Sequence, residues 1–247
     1  MKVRINDSYE ELSEAAAEFV INHIAYKPNS VLGLAAGGTP LLLYKLLGDA
    51  CKEGRVDFSR VRTFNLDEYI GLPTDHPQSY RYFMQKNLFD HINIRDENIM
   101  SPDGMADDIA LECGRYRAAI EAVGGIDLMI LGIGPNAHIG FNEPGNCFVP
   151  DTHVVELSEA TRQANARFFT KPEEPPHWAI SVGVREIMFS QNILLLASGA
   201  GKTQALWQAV RGDITPEAPA SILRLHRNVL LLADHAAAAR LGDKEDE

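Results

Sequence analysis

Asp67, His138 and Glu143 are the residues whose types and settings could move protons. Asp67 ends an apolar run and is followed at once by Glu68. A carboxylate there can act as a general base if a cleft brings it to an acidic C–H; a helix cap or loop acid would leave the same trace. His138 lies in a loop of Gly, Pro and Asn, five residues before Glu143. An imidazole oriented by a carboxylate is a standard proton-transfer pair, and a loop histidine bonded to backbone is the plainer alternative. No third ligand stands at a spacing that would make these residues a metal site.

Anion binding has its own candidates. Gly37, Gly38 and Thr39 precede Pro40, which suits the first turn of a helix. Backbone N–H groups at such a turn attract phosphate, although an ordinary strand-to-helix turn with Thr39 as N-cap fits as well. Lys202 follows the Gly-rich Ser198–Gly201, and Arg167 follows TRQANA; both are candidate phosphate cations or solvated surface charges. Two apparent motifs fail on context. GAGKT at 199–203 lacks the glycine that a P-loop needs five residues before Gly201, where Leu196 stands. GIGPNA at 132–137 fits a relaxed dinucleotide fingerprint, but Pro135, Gly140, Pro144 and Gly145 break the helix that should follow.

These residues need elements to hold them. Apolar runs at Ser30–Ala35, Val61–Leu66, Ile126–Ile133, Ala179–Val184, Asn192–Ala197 and Asn228–Ala233 hardly alternate, as strands buried on both faces should not. Amphipathic stretches at Ser8–Tyr26, Pro40–Glu53, Gln78–Phe89, Met105–Ala122 and Lys202–Arg211 separate them. The pattern predicts a single-domain, Rossmann-like α/β/α fold of three layers over residues 1–247, with a mostly parallel central sheet. Four of the runs lead into the polar segments described above. In such a sheet, ligands bind beyond the carboxyl ends of the strands, so these segments would share one cleft.

Composition narrows the setting. The formal net charge is −11, against broad nucleic-acid binding but not against an anionic substrate. No run of about 18 apolar residues suggests a membrane span. The acidic, amphipathic start does not read as a secretory signal. Three scattered cysteines, Cys51, Cys113 and Cys147, fit neither a disulfide framework nor a metal spacing. A cytoplasmic setting is expected. The final DKEDE belongs to a frayed tail, residues 242–247.

AAGGTPLLLYKLL, TFNLDEYIGLPTDHPQSY, LGIGPNAHIGFNEPG and TRQANARFF, in this order, resemble the glucosamine-6-phosphate deaminase (isomerase) family from about Val31 to Ala233. FNLDEY and HIGFNEP separate that family from the 6-phosphogluconolactonases of the same wider group. The resemblance implies conversion of glucosamine 6-phosphate and water to fructose 6-phosphate and ammonia, in amino-sugar catabolism, without metal or cofactor. It implies Asp67 as the base between C2 and C1, His138 as the ring-opening group and Glu143 as its partner. Gly37, Gly38 and Thr39 become the phosphate loop, Arg167 and Lys202 its cations, and Tyr80 an aromatic near the site. Residues 157–177 become an active-site lid.

Many members carry Asp where this chain has Asn136, and Gly where it has Ala137. Asn136 can still hydrogen-bond His138 but cannot stabilise an imidazolium by charge. Allosteric members place basic residues soon after FNEP, where this chain reads Asp151-Thr152-His153-Val154-Val155. A monomer or small homo-oligomer without activation by N-acetylglucosamine 6-phosphate is therefore expected. Galactosamine-6-phosphate deaminase, 6-phosphogluconolactonase and a non-catalytic sugar-phosphate sensor are the alternative readings.

Overall fold

The computed structural model describes residues 1–166, 169 and 174–242. The chain opens with β1 (Lys2–Asn6), α1 (Tyr9–Tyr26), β2 (Val31–Leu34), α2 (Leu41–Lys52), β3 (Arg62–Asn65), β4 (Asp67–Tyr69) and α3 (Tyr80–Asn87). It continues through β5 (Ile99–Met100), α4 (Ile109–Ala122), β6 (Leu128–Gly132), β7 (His153–Glu156) and α5 (Glu159–Ala166). The last elements are β8 (Trp178–Ser181), α6 (Val184–Phe189), β9 (Asn192–Ala197), α7 (Thr203–Val210) and β10 (Val229–Asp234).

Seven strands form one sheet in the order β1-β10-β9-β6-β2-β3-β5, with every pairing parallel. Alternate side chains divide between its faces. In β9, Ile193, Leu195 and Ala197 join a core with Tyr116 and Ile120 of α4, Ile187 of α6 and Leu206 of α7. Leu194 and Leu196 join the opposite core with Leu12 and Val20 of α1, Leu43 and Leu47 of α2 and Met84 of α3. Both faces are therefore covered, which is why the strands read as unbroken apolar runs. Each buried leucine contributes about 1.5–3 kcal/mol.

Helix ends follow local chemistry. Ser8 caps α1 by accepting from Glu11 N at 3.1 Å, and Asp108 caps α4 by accepting from Leu111 N at 2.9 Å. Thr39 is not the cap of α2; that position is Pro40, which has no side-chain cap.

The strand order locates the cleft. From β2 the chain builds outward through β3 and β5, then crosses back so that β6 takes the other side of β2. The loops after β2 and β6 must therefore diverge to opposite sides of the sheet, leaving a crevice at their carboxyl ends. These are the loops carrying Gly37-Gly38-Thr39 and Asn136-Ala137-His138.

A second sheet corrects part of the sequence-based expectation. The apolar run at 179–184 does not join the parallel sheet. Its β8 pairs antiparallel with β4 (Asp67 opposite Ser181) and with β7 (His153 opposite Ser181). Burial explains the misplacement: Ala179 and Ile180 are fully buried, and an apolar run does not state the direction of its partner. Asp67 thus opens a short strand of this second sheet, one residue beyond Leu66, rather than ending a strand of the first. β1 escaped detection because four of its five residues are exposed. Residues 243–247, most of the expected tail, lie outside the described residues.

Candidate active site

The GGT turn leaves β2 with Gly37 at φ 119°, a left-handed conformation open to glycine at little cost. Its backbone is braced from below. Tyr9 Oη donates toward Thr39 O at 3.0 Å and Gly38 O at 3.3 Å, and accepts from Leu42 N at 3.2 Å. Tyr44 Oη donates to Ala35 O at 2.6 Å. The first turn of α2 opens just beyond, so backbone donors and the positive end of the helix stand beside the turn.

Asp67 is 6% exposed. Burial, and next the charge of adjacent Glu68, push its carboxyl up to about 8. Glu68 is buried differently. It accepts from Tyr69 N, Tyr80 N, Arg81 N and Ser79 Oγ at 2.8–3.0 Å, and so caps α3. Desolvation still outweighs these bonds and raises the Glu68 pKa. Through this cap the strand bearing Asp67 sets where α3 begins, and Tyr80 is its first residue. The Tyr80 ring stacks on Phe141 with centroids 5.6 Å apart and lies 4.9 Å from Tyr69. Burial holds the Tyr80 hydroxyl well above its ordinary range, hence protonated.

The loop after β6 carries the imidazole. His138 lies over Gly134, where a Cβ would stand 2.4 Å from ring atoms, so any side chain there would displace the imidazole. His138 Nδ1 is 3.7 Å from Glu143 Oε1: within ion-pair range, too long for a hydrogen bond. Glu143 is otherwise well held. Asn136 Nδ2 donates to Oε2 at 2.8 Å, Thr161 Oγ1 to Oε1 at 2.5 Å and Ser158 Oγ to Oε2 at 3.3 Å. Desolvation raises the Glu143 pKa, but His138 and the donors from Thr161 and Asn136 outweigh it, and the net shift is downward. Asn136 Oδ1 accepts from the His138 backbone N at 3.3 Å, so its link is to the peptide, not to the ring. Ala137 adopts φ 65°, the one left-handed non-glycine residue among those described. Its methyl is fully buried in the core, which at about 0.8 kcal/mol offsets part of a backbone cost of about 1–2 kcal/mol.

Gly37, Gly38, Thr39, Asp67, Tyr80, Asn136, His138 and Lys202 all line one cavity of about 410 Å³. A neighbouring cavity of about 980 Å³ shares Gly38, Thr39 and Lys202 but contains neither Asp67 nor His138. The smaller one is therefore where the candidate proton-transfer groups and the candidate anion-binding groups meet. Glu143 stands behind His138, in contact with it rather than on the cavity lining. Arg167 lies outside the described residues. No set of three or more His, Cys, Asp or Glu among the described residues is placed to hold a metal ion.

The sequence reading missed several contributors. Thr161 and Asn165 of α5 line the cavity, and Asn165 Nδ2 donates to Tyr69 Oη at 2.9 Å. Phe141 lines it too, with its backbone N bonded to Ser181 Oγ of β8 at 3.0 Å. Thr161 and Asn165 sit inside TRQANARFF, so the motif was visible while these side-chain roles were not.

The family model for glucosamine-6-phosphate isomerases/6-phosphogluconolactonase matches residues 6–232. This chain belongs to that family. Within the family, it is 52% identical to a glucosamine-6-phosphate deaminase of Clostridioides difficile (strain 630), over 99% of this chain and 98% of that one. It is also 52% identical to a glucosamine-6-phosphate deaminase of Thermoanaerobacter sp. (strain X514), over 99% and 97%. A solved monomeric glucosamine-6-phosphate deaminase superposes with a TM-score of 0.94 at 44% identity, covering 97% of this chain and 99% of that chain. A 6-phosphogluconolactonase from Trypanosoma cruzi superposes with a TM-score of 0.75 at 20% identity, a likeness of fold alone.

Proposed function

We propose that this chain is a glucosamine-6-phosphate deaminase, a hydrolase of a C–N bond, that releases ammonia and leaves fructose 6-phosphate. The observation that carries the reading is the shared cavity: a buried carboxylate, an imidazole backed from behind by Glu143, and a Gly-rich turn border one space. The full-length likeness to deaminases supports it.

In this reading, Gly37, Gly38, Thr39, Lys202 and Arg167 hold the phosphate, which fixes the sugar by its far end. His138, oriented by Glu143, serves the ring oxygen as the pyranose opens. Asp67 takes the proton from C2 and returns it to C1, giving the ketose imine. Water adds to that imine and ammonia leaves. Asn136 keeps Glu143 aimed, and Tyr80 forms an aromatic wall. Residues 1–247 form one domain, with 157–177 as a lid; residues 167, 168 and 170–173 of that span lie outside the described residues, and its described start is tied to Glu143 by Ser158 and by Thr161 of α5. The enzyme works in the cytoplasm, as a monomer or small homo-oligomer; no described helix is long and apolar enough to cross a membrane.

Ammonia release from glucosamine 6-phosphate and galactosamine 6-phosphate, measured side by side, tests the reading. Faster release from the glucosamine epimer supports it. Release from neither sugar, with hydrolysis of 6-phosphogluconolactone, would overturn it.

Lys202→Ala should raise KM about ten- to a hundredfold and change kcat less, because a charge-assisted contact in a partly closed site is worth about 1.5–3 kcal/mol. Initial rates over a range of substrate check this; an unchanged KM moves the phosphate elsewhere. The same kinetics should be hyperbolic and indifferent to N-acetylglucosamine 6-phosphate. His153 is the one basic residue within 151–155, the segment where allosteric relatives place cations, and burial lowers its pKa, leaving it neutral at pH 7. A sigmoidal curve made hyperbolic by the effector would show otherwise.

A further inference from the structure

The cavity of about 980 Å³ beside the active site is lined by Lys45, Lys52, Lys86 and Lys202, with Asp49 the one acidic residue among the described lining. It runs along one face of α2. Lys45, Asp49 and Lys52 recur every three or four residues, away from the core stripe of Leu43, Tyr44, Leu47 and Ala50. The end of α3 forms the other side with Lys86 and Asn87, and His91 follows. Gly38, Thr39 and Lys202 belong to this groove and to the catalytic cavity alike, so the two meet at the GGT turn.

We propose that this groove is an anion-capture site that draws the phosphate of the substrate toward the GGT turn. The inference rests on the reading of the substrate as a sugar phosphate. The chain as a whole carries a formal charge of −11 and repels such a molecule. A groove lined by cations reverses the sign locally, and its low-dielectric walls focus the field. Carboxylates offset part of this charge, Asp49 lying 3.9 Å from Lys52 and Asp90 2.9 Å from Lys86, but the described lining carries more lysines than acids. Lys45 and Lys52 are both exposed, so their charges can be removed without disturbing the core.

The test compares two double variants of equal charge change. Lys45→Gln with Lys52→Gln neutralises the groove. Arg60→Gln with Arg62→Gln neutralises two cations of a different pocket, at the amino ends of β2 and β3, on the opposite pole of the sheet. At an ionic strength of about 10 mM, where charges reach about 30 Å, the groove variant should lose about three- to tenfold in kcat/KM with kcat unchanged. At about 1 M salt, where the reach is about 3 Å, it should match the parent within about twofold. The opposite-pole variant should match the parent throughout. Equal losses in both variants, or a loss in the groove variant that persists at high salt, overturn the proposal. Calorimetric titration with inorganic phosphate gives a readout independent of turnover: the groove variant should bind it more weakly at low salt only. A parent that binds phosphate but releases no ammonia would refute the deaminase reading, while the phosphate titration would still decide the role of the groove.

Discussion

Asp67→Asn should lower turnover by about a thousandfold or more while phosphate binding survives. Asn keeps the shape of the side chain but cannot accept the C2 proton at working pH. Ammonia release measures the loss, and titration with inorganic phosphate shows that the site persists. Turnover within about tenfold of the parent would rule Asp67 out as the base. The parent should also show a pH signature. With its carboxyl pushed up to about 8 by burial and Glu68, Asp67 is mostly protonated at pH 7. The kcat/KM of the parent should therefore rise with pH, with an apparent pKa near that value. Stability should run the other way. The folded state holds the Asp67 proton where the unfolded chain has already released it. Its contribution to stability therefore falls as pH rises from the ordinary aspartate range to about 8, then levels off. The Asn variant lacks that fall, so it should melt above the parent at alkaline pH.

Glu143→Gln should lower kcat about a hundredfold with phosphate affinity within about twofold of the parent. The carboxylate receives donors on both oxygens, from Asn136, Thr161 and Ser158, and faces His138 from 3.7 Å. An amide offers one acceptor and one donor in the same space. One existing donor then meets another donor, and the charge beside His138 is gone. Asn136 is the poorer partner for adjusting, because its oxygen already accepts from the His138 peptide. Rapid-quench measurement of ring opening, compared with overall turnover, checks where the loss falls. An unchanged opening rate would remove Glu143 from that step.

The parts of the site that were legible in the sequence are those where an apolar run stops at a Gly-rich or polar segment. The GGT turn after β2 and the His138 loop after β6 are such places, and parallel topology alone brings them together. The residues that were not legible depend on the antiparallel sheet. β4, β7 and β8 are three or four residues each, too short to show a period. β4 and most of β8 are buried while β7 is half-exposed, a difference that no local pattern reports. Thr161 and Asn165 were unreadable for a related reason. Their significance lies in what they touch, Glu143 and Tyr69, and both partners are distant in sequence. Asn136 was readable as a departure from the family pattern, but its bonds to Glu143 and to the peptide of His138 needed coordinates.

The strand order also bears on how the protein is made. Among the described residues β1 is paired with β10 alone, Lys2 opposite Leu230 through Asn6 opposite Asp234. As the chain emerges from a ribosome, its first strand has no partner until nearly everything else has appeared. β9 waits likewise for one of its two neighbours. Domains assembled from such distant pairings fold slowly, with strand edges exposed meanwhile. A nascent chain stalled before Val229 would present two unpaired edges at once, and should be a strong client for chaperones until its last strand is released.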